Sequence, residues 1–229
     1  MKHCAMSNTE KIQFDKIPSF LGLPISDLED LMPGQVAIAG YFCDNLDQPS
    51  AGQRYLARQL RYVSRSENRP INATDLGDVN VFPLEPEKHF PAVISQCEAV
   101  LETGACMVLV GGDSSGLNAL GAAVQNIVNT DVPIVSLSQG NNLNLSKTQK
   151  IILSVDLKEL AGKWVSKPRR LNGLSPSDII SQINNISSKI IAVAIFGLAP
   201  ELDFRGSTET LVALNILEAV VERLEKGAH

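Results

Sequence analysis

From residue 35 to residue 224 the chain alternates short, unbroken apolar runs with stretches of helical periodicity. Strands buried on both faces have this look, because neither face needs polar residues. Residues 35–42 (QVAIAGYF), 72–81 (NATDLGDVNV), 106–110 (CMVLV), 132–137 (VPIVSL), 150–157 (KIILSVDL) and 189–198 (KIIAVAIFGL) read as strands. Between and after them, residues 51–65, 91–102, 117–127, 176–186 and 207–224 read as helices. The fourth helix has a marked start: Ser175 can cap it, Pro176 suits its first turn and Asp178 completes a capping box. The last carries Leu211, Leu214, Leu217, Val221 and Leu224 as its apolar stripe, with Gly227 as a stop. The pattern predicts an α/β fold: a three-layer αβα arrangement around a mostly parallel sheet of about six strands. A chain of 229 residues is expected to form one domain, 1–229, whose residues 1–34 are an N-terminal arm.

Charge and residue counts remove several functions. The net charge is −5 with Lys and Arg scattered, so no basic field exists to hold nucleic acid or anionic lipid. No apolar run reaches the roughly 18–20 residues of a membrane span. The opening MKHCAMSNTEKIQFDK has no apolar signal core. Cys4, Cys43, Cys97 and Cys106 form no CxxC pair, and a reducing cytoplasm is expected. Of three histidines, His3 and His229 lie at the termini and only His89 inside. That leaves little for a histidine-built metal site or a Ser-His-Asp triad.

In parallel α/β sheets, ligands bind at the carboxyl ends of the strands. GGDSSG at 111–116 ends a strand and opens a helix, and contains GxSxG. It reads either as a nucleophile elbow presenting Ser114 or as a tight turn whose glycines let strand and helix pack closely. No later histidine except His229 is available to activate Ser114. Lys158 is a substitute base if desolvation lowers its pKa. Asp156 and Lys158 lie two apart at one strand end and share a face. They read as an acid–base couple or as a structural ion pair. Asp75 and Asp78 sit in a glycine-bearing turn, either to bind a cation or to hydrogen-bond their own loop. Cys43 reads as a small gap filler rather than a reactive thiol, and His89 as a surface or capping side chain rather than a ligand.

Taken in order, these segments resemble the ureohydrolase (arginase/agmatinase) family, in its agmatinase-like branch. Gly40 to Asp44 (GYFCD) is similar to the family's first strand end. Residues 51–61 (AGQRYLARQLR) resemble its PGARxGPxxIR helix start, with Gly52, Arg54 and Arg61 kept. DLGDVN is nearly unchanged. GGDSS stands where the family has GGDHS, VSLSQGNN for DAHxD, SVDLK for SxDxD, NGLS for GGLS, and GLAPELD for ExxPxxD.

The resemblance implies a family site of two manganese ions held by six side chains, and this chain departs from it. The GGDH histidine falls on Ser114. The DAHxD ligands fall on Ser138, Gly140 and Asn142, and the DxD pair on Asp156 and Lys158. Only Asp156 survives. A hard divalent ion needs several oxygen or nitrogen ligands with compensating negative charge, and this set does not supply them. No metal and no cofactor is therefore expected. The Lys158 ammonium is expected near the old metal position, paired with Asp156 or Asp113. The family's guanidinium-binding glutamate falls near Arg170, which favours an anion, and the ExxPxxD glutamate falls on Gly197.

Fourteen positions separate Asn142 from Asp156, where the family has a longer stretch with two strands that form one sheet edge. Their loss makes 132–137 the new edge, expected to be covered by residues 141–147 or by a subunit contact. The resemblance implies a homo-oligomer, dimer or trimer, or a hetero-oligomer with an active paralogue.

The reading favoured is a pseudoenzyme that serves as a binding, regulatory or assembly subunit for a small-molecule ligand. The alternative is a metal-independent enzyme using Ser114, Asp156 and Lys158 as catalytic candidates. Its ligand-binding candidates are Asp113, Ser138, Asn142 and Arg170, and its substrate an anionic or carbonyl compound. A working manganese amidinohydrolase is favoured least.

Overall fold

A computed structural model of the chain describes residues 18–44, 52–63, 71–138, 146, 149–166, 168–200 and 208–227. Six strands form one sheet: β1 (Val36–Gly40), β2 (Ala73–Asp78), β3 (Cys106–Val110), β4 (Ile134–Ser136), β5 (Lys150–Asp156) and β6 (Lys189–Phe196). Their order is β2-β1-β3-β6-β5-β4, and every pairing is parallel. The chain builds outward from β1, crosses to the far edge after β3, and fills inward through β5 to β6.

Helices α1 (Leu56–Arg61), α2 (Pro86–Glu102), α3 (Ser114–Val128), α4 (Pro176–Asn185) and α5 (Thr208–Gly227) cover the sheet. Successive strand side chains point to opposite faces. Val36 and Ile38 of β1 therefore join a core with Leu56, Leu60, Ile179, Ile183 and Leu217 from α1, α4 and α5. Ala37 and Ala39 join the other core, with Val93, Cys97, Leu120 and Val124 from α2 and α3. Both faces being buried is why the strands read as continuous apolar runs.

Some boundaries differ from the sequence reading, each for a physical reason. Helix α2 begins at Pro86 rather than residue 91, with Pro86 in its first turn. Pro91 lies close enough to that start for the lost backbone donor to be tolerated. Helix α3 begins at Ser114 because Asp113 caps it, accepting the Ser115 N–H at 2.9 Å. The predicted helix over 51–65 is a 3-10 turn, Gln53–Tyr55, followed by six α-helical residues. The capping box of α4 is formed as expected.

Both sheet edges bear on the sequence reading. At β2, the described part of the arm packs on the strand: Asp75 N–H donates to Pro24 O at 3.0 Å and Ser26 N–H to Asp75 O at 3.1 Å. The three-residue β4 is the other edge, and Ile134 is 46% exposed. Residues 141–145 and 147, the expected cover, lie outside the described residues. Among the described residues no helix is long and apolar enough to cross a membrane.

Candidate functional site

The carboxyl ends of the strands form a rim that carries two ion-pair clusters with a buried polar chain between them. At the β2 end, Arg61 from the last turn of α1 holds both acidic residues of DLGDVN. Its Nε donates to Asp75 at 2.8 Å and its Nη1 to Asp78 at 2.6 Å. The Arg61 guanidinium lies over the Phe20 ring, 4.2 Å from its centroid. Asp75 is 1% exposed, and it also accepts the N–H groups of Phe20 and Gly77. The two carboxylates thus serve a protein cation and their own loop.

The polar chain begins at His89, which corrects the sequence reading of it as a surface or capping group: it is 2% exposed. Starting α2 at Pro86 places residue 89 inside the helix's first turn, facing the β1 end. Its Nδ1 accepts the Phe82 N–H at 3.1 Å, so in the neutral ring Nε2 carries the hydrogen. That Nε2 reaches Tyr41 Oη at 2.8 Å, and Tyr41 Oη reaches Ser115 Oγ at 2.8 Å. Ser115 Oγ in turn donates to Asp113 Oδ1. An ionised carboxylate only accepts, so every hydroxyl in the chain points toward Asp113. The other oxygen, Asp113 Oδ2, is buried with no hydrogen-bond partner among the described residues.

The glycines of GGDSSG make room for this chain. Gly111 and Gly112 have φ of 103° and 63°. A Cβ on Gly112 would lie 2.4 Å from the Tyr41 ring and 2.4 Å from the Cys43 carbonyl oxygen. The left-handed backbone thus falls on the glycines, while Ser114 begins α3 with negative φ and an exposed side chain. A nucleophile elbow needs a strained, presented serine. Here the tight-turn reading describes the segment, and Ser115, which the sequence reading did not single out, is the serine in the polar chain.

Burial and the Phe82 contact both hold His89 neutral, and burial pushes its pKa below the ordinary 6.5, against a smaller opposing pull from Asp113. In the unfolded chain the ring titrates normally, so the unfolded state binds more protons as the pH drops through the ordinary histidine range. Stability from this group is present above about pH 6.5 and is lost below it. His89→Gln, which can keep both hydrogen bonds, is expected to flatten the decline in urea midpoint between about pH 7.5 and pH 5.5. An unchanged decline in the variant would show that His89 is not its source.

The second cluster lies at the β5 end. Asp156 Oδ1 accepts the Lys158 N–H at 2.9 Å, and Oδ2 accepts Arg169 Nη2 at 2.5 Å. Arg169 Nε also lies 2.8 Å from Glu159. The ion-pair partner of Asp156 is therefore Arg169, and the expected pairing of Lys158 with Asp156 or Asp113 is corrected. The reason lies in how residues 168–174 return against residues 157–162. Arg169 N–H donates to Lys158 O at 2.6 Å and Leu174 N–H to Glu159 O at 2.8 Å. Buried Glu209 at the start of α5 accepts from the backbone and hydroxyl of Ser166 and anchors the same segment. The cation paired at the β5 end is thus Arg169, and the neighbouring Arg170 has an exposed side chain. A Cβ on Gly197 would lie 2.4 Å from Asp156 Oδ1 and 3.4 Å from Lys158 Cγ. Only glycine there lets this carboxylate sit over the β6 end.

Ser138 follows β4 and is half-buried, while Gly140 and Asn142 lie outside the described residues. Cys43 is 3% exposed, and burial raises its thiol pKa, in keeping with a gap filler. Among the described residues no three His, Cys, Asp or Glu side chains stand close enough to hold a metal ion.

No protein-family model and no curated protein matches the chain. Solved structures do match. A hypothetical agmatinase from Burkholderia thailandensis superimposes with a TM-score of 0.78 at 13% identity, over 93% of this chain and 92% of that one. Proclavaminate amidino hydrolase from Streptomyces clavuligerus gives 0.76 at 14% identity, over 93% and 98%. Formimidoylglutamase from Bacillus subtilis gives 0.74 at 13% identity, over 96% and 97%. The fold is that of the ureohydrolases, αβα around a parallel sheet, and the agmatinase-like resemblance in the sequence agrees with these neighbours.

Proposed function

We propose that this ureohydrolase-fold chain does not hydrolyse guanidines through a dinuclear manganese centre and instead serves as a binding, regulatory or assembly subunit. The Asp156–Arg169 ion pair carries this reading. Asp156 is the one acidic ligand that the family pattern leaves in this sequence, and both its oxygens are already engaged. A metal ion there would have to displace a guanidinium and recruit serine, glycine, asparagine and lysine positions, which offer no negative charge. The residues present do not fit the ion pair of metals that the fold family implies, and no reaction step is derived through it.

The enzymatic alternative has less support. Ser114 opens an ordinary helix turn, and no hydrogen bond joins it to Lys158 among the described residues. The Asp113 Oδ2 atom favours binding, since a buried carboxylate oxygen without a partner among the described residues is an acceptor in search of a donor.

The expected result of a urea-release assay with arginine or agmatine, in added manganese, is a rate equal to that without protein. The Arg169→Asp variant, which removes the cation and adds a carboxylate, is expected to gain manganese affinity over the natural chain. Urea release by the natural chain, abolished in Asp156→Ala, would overturn the proposal.

A further inference from the structure

At the opposite end of the sheet, beneath the amino ends of β3, β5 and β6, lies a cavity of about 560 Å³. This is within the usual size of small-molecule sites. Its walls mix apolar side chains, Leu101, Ile127 and Val128 among them, with polar groups such as Ser187 and Ser188, and its charged lining residues are Lys150, Lys189 and Arg223. Among the described residues no carboxylate lines it, although the chain as a whole carries more acidic than basic residues.

The lysines are the informative pair. They are register partners on adjacent parallel strands, Lys150 opposite Lys189, so both side chains leave the sheet on the same face. Like charges directly opposite each other repel. Neither lysine has an ion-pair partner among the described residues. Arg223 is already held, donating from Nε to Ile186 O at 3.0 Å and from Nη2 to Ser188 O at 3.3 Å. It closes the wall and leaves the two ammonium groups to an outside anion.

We propose that this cavity binds a small amphipathic organic anion, with its acidic head between Lys150 and Lys189 and its apolar body against Leu101, Ile127 and Val128. The head is a carboxylate or a phosphate ester. The site is one of binding and not of chemistry. Its one thiol, Cys106, donates to Ile191 O at 3.2 Å, and burial pushes its pKa up to about 12. The cavity lies away from the rim, so the outcome of its test leaves the reading of Asp156 and Arg169 untouched.

The test is calorimetric titration of the full chain with hexanoate, hexyl phosphate, hexan-1-ol and inorganic phosphate. Hexanoate or hexyl phosphate is expected to bind more tightly than hexan-1-ol and inorganic phosphate, and the tighter of the two names the head group. Lys150→Gln and Lys189→Gln, both at exposed side chains, are expected to weaken that binding about tenfold or more each, with the thermal midpoint unchanged. The proposal is overturned by hexan-1-ol or inorganic phosphate binding as tightly as the tighter of the two anions, by either glutamine variant binding like the natural chain, or by no binding of either anion at millimolar concentration.

Discussion

Asp75→Ala is expected to lower the free energy of unfolding by about 3–5 kcal/mol, read as a shift in urea midpoint at constant slope. The magnitude follows from what the substitution leaves behind. Arg61 is 12% exposed at its side chain and gives Asp75 two hydrogen bonds, from Nε at 2.8 Å and Nη2 at 3.0 Å. Removing the carboxylate strands a guanidinium that water reaches poorly. Asp78 cannot make up the loss, because at 45% exposed its own attraction is screened. The Phe20 and Gly77 N–H groups lose their acceptor as well. Against a typical total of about 5–15 kcal/mol, this is a large share. The double variant Arg61→Met, Asp75→Leu is expected to recover much of it, since replacing both partners by apolar groups removes the uncompensated charge. If the double variant is as unstable as the sum of the single variants, the cluster is not the coupled unit described.

Gly112→Ala is the second large effect, at about 2–5 kcal/mol. Left-handed backbone costs a residue with a Cβ roughly 1–2 kcal/mol, and forcing atoms into a filled site adds about 1–3 kcal/mol. Both apply at Gly112, where φ is 63° and the new Cβ would meet the Tyr41 ring and the Cys43 carbonyl at 2.4 Å. Gly77→Ala is the control, with φ of 78° and nothing within 4 Å of the added atom. It is expected to show the backbone part alone, so the difference between the two variants measures how tightly Tyr41 is seated. Equal effects would mean that the Tyr41 ring can move aside.

The layered fold was legible in the sequence because burial on both faces writes itself as unbroken apolar runs, and each of the six runs became a strand. The rim was legible in part. Spacing put Asp156 at a strand end and Asp113 before a helix, and both are there. Spacing could not assign partners, which depend on how loops return. Residues 168–174 return against 157–162 by backbone hydrogen bonds that any side chain allows, so the choice of Arg169 over Lys158 leaves no periodic trace. His89 reads as a surface group because Pro91 resembles a helix start, which hides the earlier turn from Pro86 that buries the imidazole. The bond from Tyr41 to Ser115 spans 74 positions, and nothing local announces it.

The rim offers a transition metal too little charge and too few donors. The most direct test is the manganese content of the chain after dialysis against excess manganese and removal of the free ion, beside the same measurement on Arg169→Asp. The expected content is at background for the natural chain, with a measurable gain in the variant. Stoichiometric manganese in the natural chain, lost on Asp156→Ala, would contradict it.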